Sequence, residues 1–196
     1  MLGVVKLHSM IYIEDDFLDI NLIKYLDNDK NDFQEVKTPG KSFWVKMPSE
    51  EFMELVCNKV AKIENAFIEP ILGFFREAKE GQDTDWRIHN DSIIEGQQPD
   101  RAMVLYVSEN NYCELNGTAF WEHWKHGEKF EDITPEEYNR LLIEDSNDKD
   151  KWLLKSVIGH KQNRLISYPC NYFHSKYPNE FLNSRKVFVM FYKIRK

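Results

Sequence analysis

The chain has 196 residues, of which 42% are hydrophobic and 14% aromatic, so it is long enough for one well-packed domain and short for two. Its net charge of −7 is concentrated in residues 122–150, which hold ten acidic and four basic side chains. Nucleic-acid phosphates favour basic stripes, so this distribution argues against non-specific nucleic-acid binding. We expect one domain over 1–196, with N-terminal strands and helices over 1–70 and the core over 71–196.

From the sequence we expect neither a membrane-spanning segment nor a secretory signal. Uninterrupted apolar segments stay short of the roughly 20 residues that span a bilayer. The start, MLGVVKLHSMIYIEDD, lacks the charged, apolar and small-residue order of a secretory signal. The cysteines, Cys57, Cys113 and Cys170, form no CxxC pair, which favours reduced, packed thiols. We expect a cytoplasmic protein with no membrane contact.

The N-terminal part predicts strands followed by helices. VVKLHSMIYIEDDFL is typical of one or two strands, Asp19 is placed to cap a short helix, INLIKYLDN, and SFWVKM indicates a further strand. In PSEEFMELVCNKVAKIENAF, Ser49 can cap a helix whose apolar residues recur on one face. These apolar residues are Phe52, Leu55, Val56, Val60 and Ile63.

From Ile71 onward the pattern changes to short strand-like runs separated by turn residues. The runs are ILGFFREA, DWRIHNDSI, RAMVLYVS, TAFWEH, NRLISYP, NYFHS and RKVFVMFYKI. Many short strands at this spacing predict a sandwich or barrel with the N-terminal helices packed outside it. Between them, TPEEYNRLLIED has Thr134 as a cap and Pro135 at the first helical position, which predicts a helical insertion at about residues 122–160.

A histidine and an aspartate stand two residues apart in the strand-like run WRIHNDSII. Because side chains alternate along a strand, His89 and Asp91 share one face, where their burial is costly unless something satisfies both. A metal would do so, and His174 offers a third ligand. Two histidines and one carboxylate form the facial triad that leaves positions open on Fe(II). Arg185, eleven residues after His174, offers a bidentate fork for a carboxylate.

The pattern of His89-x-Asp91, His174 and Arg185 resembles the Fe(II)- and 2-oxoglutarate-dependent oxygenases, particularly the prolyl-4-hydroxylase-like branch. The resemblance covers most of the chain and implies a mostly β, α+β protein with a double-stranded β-helix (jelly-roll) core. It implies Fe(II), 2-oxoglutarate and O₂ as cofactors, with ascorbate as a reductant. It also implies that the chain hydroxylates a C–H bond with release of succinate and CO₂, and that His89, Asp91 and His174 are the catalytic iron ligands.

The same resemblance assigns residues to the cosubstrate. Arg185 would hold the far carboxylate of 2-oxoglutarate, RAMVLYVS places Tyr106 beside the cosubstrate, and LNGTAFW places Thr118 and Phe120 near the cofactor. One departure is that relatives often have Arg-x-Ser, whereas here Lys186 and then a valine follow the arginine. A second contact to the carboxylate must come from elsewhere, and Tyr106 is the candidate.

Several residues have alternative interpretations. Lys186 exchanges roles with Arg185 if the strand register shifts by one, because neighbouring strand residues face opposite ways. His123 and His126 could ligate a metal if helical, but without an obvious third ligand we expect a solvated lid surface. Cys170 is expected to pack in the core. Two tryptophans, Trp121 and Trp124, either line the substrate mouth or anchor the lid.

Two other functions stay open: a non-catalytic metal- or ligand-binding jelly-roll module, and a cupin-type iron enzyme without a keto acid. The acidic insertion is the expected source of specificity, because loops on a rigid scaffold carry recognition. Its charge disfavours a polyanion and leaves a protein side chain or a small amino-acid-like molecule as the expected substrate. The presence of Asp91 favours hydroxylation over halogenation. The oligomeric state does not follow from the sequence.

Overall fold

The computed structural model describes most of the chain. The described residues are 5–7, 11–23, 33–38, 41–79, 81, 84–109, 115–131, 133–180 and 184–195. The predictions for Cys113 and for the INLIKYLDN helix beyond residue 23 lie outside the described residues. Within these ranges, no helix is long and apolar enough to cross a membrane.

Strands dominate the regular structure. In chain order the elements are β1 (Val5–Leu7), β2 (Ile11–Glu14), β3 (Gln34–Thr38), β4 (Lys41–Lys46), α1 (Glu50–Glu64), β5 (Phe67–Ala78), β6 (Arg101–Tyr106), β7 (Gly117–His123), α2 (Pro135–Arg140), β8 (Trp152–Gly159), β9 (Leu165–Pro169), β10 (His174–Tyr177) and β11 (Arg185–Arg195). A π-helical turn, Leu141–Asp145, extends α2, and a 3-10 turn, Lys149–Lys151, precedes β8.

The strands pair antiparallel into two sheets that face each other. Among the described residues, the larger sheet has the order β1-β2-β9-β6-β11-β5-β4-β3 and the smaller has β10-β7-β8. Tyr106 and Tyr168 from the larger sheet meet Phe120 and Ile158 from the smaller one in a single buried cluster. Two antiparallel sheets packed face to face confirm the predicted jelly-roll core.

Helix α1 covers the outer face of the larger sheet. Ser49 accepts the N–H of Phe52 at 3.2 Å, so the predicted cap is confirmed. The Phe52 ring lies 5.1 Å from that of Phe75 on β5 and 5.0 Å from that of Phe188 on β11. Helix α1 therefore packs outside the two-sheet sandwich, as predicted, and leaves the space between the sheets for other groups.

The predicted cap of the shorter N-terminal helix is also present. Asp19 Oδ1 accepts the backbone N–H of Asn21 at 2.9 Å, and the chain is helical over residues 20–23. This bond satisfies one of the amide groups that the first turn of a helix leaves unpaired.

The sequence does not reveal the edge strands β8 and β3, and it starts β5 too late. The insertion is shorter than the predicted 122–160 because β8 occupies Trp152–Gly159. As an edge strand, β8 exposes consecutive residues, so it lacks the alternation that marks a strand. Strand β3, Gln34–Thr38, was missed for the same reason. Strand β5 begins at Phe67 rather than Ile71 because its ladder with β11 continues past a bulge.

Candidate metal centre

The three predicted metal ligands converge on one point. The ligand atoms of His89, Asp91 and His174 all lie within 4.8 Å of one another. His89 Nε2 is 3.6 Å from one carboxylate oxygen of Asp91, and His174 Nε2 is 3.2 Å from the other. The side chain of His89 is 28% exposed against 7% for His174, so the cluster opens to solvent on the His89 side.

The segment that carries His89 and Asp91 is extended but is not a regular strand. The prediction of a regular strand over this run was therefore wrong. His89 forms an isolated bridge with His174, in which the two residues exchange N–H···O bonds of 3.0 and 2.8 Å. The N–H of Asp91 donates to the Cys170 carbonyl at 2.8 Å. The segment thus lies along the start of β10 as an irregular extended stretch, and both predicted ligands still share one face.

Backbone carbonyls orient both imidazoles. His89 Nδ1 lies 2.7 Å from the carbonyl oxygen of Arg87, and His174 Nδ1 lies 3.0 Å from that of Tyr172. Because a carbonyl only accepts, each Nδ1 carries the proton and donates. Both Nε2 atoms are thereby turned toward Asp91, an arrangement typical of metal-binding histidines. Arg87 itself has a φ of 44°, a backbone conformation that residues other than glycine rarely adopt.

The electrostatics of the cluster favour an ionised carboxylate at Asp91 and a neutral imidazole at His89. Burial, assisted by nearby His174, lowers the pKa of His89 to about 3, so this ring is neutral. Burial raises the pKa of Asp91, but His174 and His89 outweigh it and hold the carboxyl ionised. Burial lowers the pKa of His174, whereas the hydrogen-bonded Asp91 carboxylate more than offsets this and raises it. Such a donor set, two nitrogens and one oxygen, fits a divalent transition metal such as Fe(II).

A buried cation lies between the sheets. Arg185, the first residue of β11, is buried, and its guanidinium carbon lies 5.1 Å over the ring of Tyr106. The Tyr106 hydroxyl lies 2.9 Å from Thr118 Oγ1 and therefore links the larger sheet to the smaller one. The structure thus brings together Arg185, Tyr106 and Thr118, the three residues predicted to contact the cosubstrate.

The neighbouring cation, Lys186, faces the other way. Its Nζ lies 6.0 Å over the ring of Phe33, and Phe33 packs against the apolar cluster outside the larger sheet. Since successive strand residues alternate, only one of the two cations can point between the sheets. In this register the inward residue is Arg185.

Two further side chains between the sheets were not predicted as site residues. The His160 ring stacks on Tyr106 at 4.6 Å between centroids, and its Nε2 lies 2.8 Å from the Ser108 carbonyl oxygen. Burial, with Arg185 nearby, lowers the pKa of His160 to about 4, which leaves it neutral beside the arginine. Tyr168 is buried with its ring 4.8 Å from that of His174.

Little in the sequence could have singled out these two residues. His160 directly follows β8, the strand that the sequence did not reveal. Tyr168 lies in the predicted run NRLISYP, where a tyrosine has the same pattern as an ordinary core residue.

The second histidine pair is not the solvated lid surface that the sequence predicted. His123 is buried, its Nε2 lies 3.2 Å from Asp145 Oδ2, and its ring stacks on that of His126 at 4.9 Å. The error arose because His123 is the last residue of β7 and points under the insertion. Within the described residues, this pair is not part of a group close enough to hold a metal.

The other residues with open interpretations have structural positions. Trp121 is buried and donates from Nε1 to Ser175 Oγ at 2.9 Å, so it anchors β7 to β10, whereas Trp124 is exposed. Cys170 is a buried free thiol, as predicted, and burial raises its pKa. Phe120 lies with its ring 6.5 Å from that of His174.

The sequence matches no family model and no curated protein, but the structure resembles solved oxygenases. HygX from Streptomyces hygroscopicus, solved with nickel and 2-oxoglutarate, is 11% identical with a TM-score of 0.63, over 94% of this chain and 82% of that one. A prolyl-4-hydroxylase from Pseudomonas putida is 11% identical with a TM-score of 0.55, over 95% and 93%. The α-ketoglutarate-dependent carbocyclase SnoK from nogalamycin biosynthesis is 8% identical with a TM-score of 0.63, over 93% and 78%. These likenesses show the fold.

Proposed function

We propose that this chain is an Fe(II)- and 2-oxoglutarate-dependent oxygenase that hydroxylates a C–H bond of a protein side chain or a small amino-acid-like substrate. The observation that carries the proposal is the convergence of His89 Nε2, His174 Nε2 and the Asp91 carboxylate within 4.8 Å. The buried cation of Arg185 in the same intersheet space supports it. The likeness to solved 2-oxoglutarate oxygenases supports it as well.

In this proposal His89, Asp91 and His174 hold Fe(II), which together with O₂ and 2-oxoglutarate supplies the oxidising power for C–H cleavage. Arg185 binds the far carboxylate of 2-oxoglutarate through its guanidinium fork, and Tyr106 and Thr118 contribute hydroxyl groups. One atom of O₂ enters the substrate as the alcohol, and the other enters the new carboxylate of succinate as CO₂ leaves. Ascorbate would serve as an external reductant.

The substrate is proposed from the surface around the site. The inserted segment between β7 and β8 is acidic, which supports a neutral or cationic substrate and disfavours nucleic acid. Hydroxylation as the reaction is itself proposed, because one protein with a similar fold is a carbocyclase.

The cellular setting is proposed from the cysteines. Free thiols at Cys57 and Cys170 support a reducing, cytoplasmic setting.

The proposal is tested by an anaerobic absorption titration of the metal-free protein, first with Fe(II) and then with 2-oxoglutarate. A weak charge-transfer band that requires both additions is expected, because it reports a keto acid chelated to the iron. The control is Asp91→Ala, which removes the anionic ligand and is expected to abolish Fe(II) binding. Wild-type Fe(II) affinity in Asp91→Ala would refute the ligand assignment.

The same titration separates the two alternative functions. Fe(II) binding without the band would favour a cupin-type enzyme that uses no keto acid. If the band forms, succinate release in air is then measured over a set of peptides and amino acids. A band without any succinate would favour a binding module.

A further inference from the structure

The segment that carries His89 and Asp91 has partners along both of its edges. On one edge, the N–H of His89 donates to the carbonyl of His174 in β10, and the N–H of Asp91 donates to the carbonyl of Cys170, just before β10. On the other edge, the N–H of Ile88 donates to the carbonyl of Ser146 at 3.0 Å, and that of Asn90 donates to the hydroxyl of Tyr138 at 3.2 Å. The second edge is therefore completed by the insertion and not by a strand.

Tyr138 binds Asn90 twice. The Tyr138 hydroxyl accepts from the Asn90 N–H and donates to the Asn90 carbonyl at 2.9 Å. Asn90 is the residue between the two metal ligands and is itself buried. One hydroxyl therefore fixes the peptide group on each side of Asn90, and these two peptides set the relative orientation of His89 and Asp91.

The insertion is built to hold the Tyr138 side chain in place. Helix α2 begins with a capping box between Thr134 and Glu137, which fixes the turn that carries Tyr138. The Tyr138 ring packs edge-on against Phe130 at 4.8 Å. It also packs against the buried apolar cluster that contains Ile88, the residue before the first proposed metal ligand. The phenol has little freedom to leave Asn90 without disrupting this cluster.

We propose that Tyr138 is a positioning residue for the metal ligands, and that the insertion therefore sets metal affinity as the outer support of the ligand segment. The inference rests on the proposed metal site. Loss of the hydroxyl would leave both backbone groups of Asn90 without their partner and would let the two flanking peptides rotate. Outer partners of metal ligands typically contribute about 10- to 100-fold in metal affinity.

The test compares Tyr138→Phe with Tyr192→Phe in the full chain. Tyr192 is a suitable control because it is also a buried tyrosine whose hydroxyl makes two hydrogen bonds, one with Ser167 and one with Glu64, each at 2.7 Å. It lies in the apolar cluster outside the larger sheet. Each protein is titrated with Co(II) in the absence of cosubstrate and is also unfolded thermally.

We expect Tyr138→Phe to bind Co(II) at least about 10-fold more weakly than wild type and to shift the Co(II) ligand-field absorption bands at saturation. Tyr192→Phe is expected to lose thermal stability while it keeps wild-type affinity and bands. Wild-type affinity and bands in Tyr138→Phe would overturn the inference and leave the proposed function intact. Equal losses of affinity in both variants would also overturn it, since stability alone would then explain them. Failure of the wild-type protein to bind Co(II) would refute the metal site and this inference together.

Discussion

Replacement of Arg185 by glutamine removes a buried cation that the β11 register directs between the sheets, while it keeps most of the side-chain volume. We expect this variant to bind Fe(II) or Co(II) normally, because Arg185 is not among the grouped ligand atoms. We expect its affinity for 2-oxoglutarate to fall. The structural reason is that burial, the largest cause that lowers the pKa of the neighbouring His160, persists in the variant, so this ring offers no replacement charge.

The size of the loss follows from the burial of the guanidinium. Hydrogen bonds to a charged partner contribute about 1.5–3 kcal/mol each, and the low solvent access of Arg185 limits screening of its charge. Because glutamine can still donate one hydrogen bond, a net loss of about 2–3 kcal/mol is expected. This corresponds to roughly 30- to 150-fold weaker binding of 2-oxoglutarate.

The assay is calorimetric titration of 2-oxoglutarate into the Mn(II)-loaded protein under anaerobic conditions, with Lys186→Gln as the matched control. Lys186 faces Phe33 outside the larger sheet, so its replacement is expected to leave the affinity unchanged. Unchanged affinity in Arg185→Gln would refute the assignment of this arginine. A loss confined to Lys186→Gln would show that the strand register between the sheets is wrong.

Two further predictions concern stability, measured by urea unfolding. Arg101→Met should lower the free energy of unfolding by about 3–5 kcal/mol, because the carboxylate of Glu64, 3.0 Å from Arg101 Nε and almost fully buried, then lacks its cation. Adding Glu64→Leu should recover part of this loss. A loss below about 1 kcal/mol in Arg101→Met would contradict the prediction. The hydrogen bond from Arg164 lowers the pKa of Asp15 to about 2, so Asp15 stabilises the fold above its unfolded pKa and loses that effect as the pH falls. Asp15→Asn should therefore be less stable at pH 7 by about 1 kcal/mol, and the gap should close between about pH 4 and pH 2, whereas a constant gap would exclude a role for ionisation.

The sequence was most informative where a pattern is local and chemical. The spacing of His89 and Asp91 predicted that two ligands share one face, and this holds although the segment is not a regular strand. Helix α1 was also predicted from local signals, because its cap at Ser49 and its apolar stripe are both encoded within a few turns. The inward direction of Arg185 was predictable because strand alternation allows only one of Arg185 and Lys186 to point between the sheets.

The sequence was least informative where the environment of a residue comes from distant parts of the chain. Strand β8 exposes consecutive residues at a sheet edge and so has no period to detect. His160 gains its place beside Tyr106 only through that strand. His123 has polar, charged neighbours in sequence, yet it is buried because β7 carries it beneath the insertion.

The charge of the insertion predicted the character of its exposed surface, but not its contact with the segment that carries His89 and Asp91. Several of its acidic residues, including Glu136 and Glu144, are exposed, whereas Leu141 and Ile133 are buried with Ile88 in one apolar cluster. The outward face of the insertion dominates its composition, whereas its inward face contacts the segment that carries His89 and Asp91. A change on the outward face is therefore expected to alter substrate choice without altering metal affinity, whereas a change on the inward face alters metal affinity first. The two proposed roles would thus lie on opposite sides of one segment, where mutation can separate them.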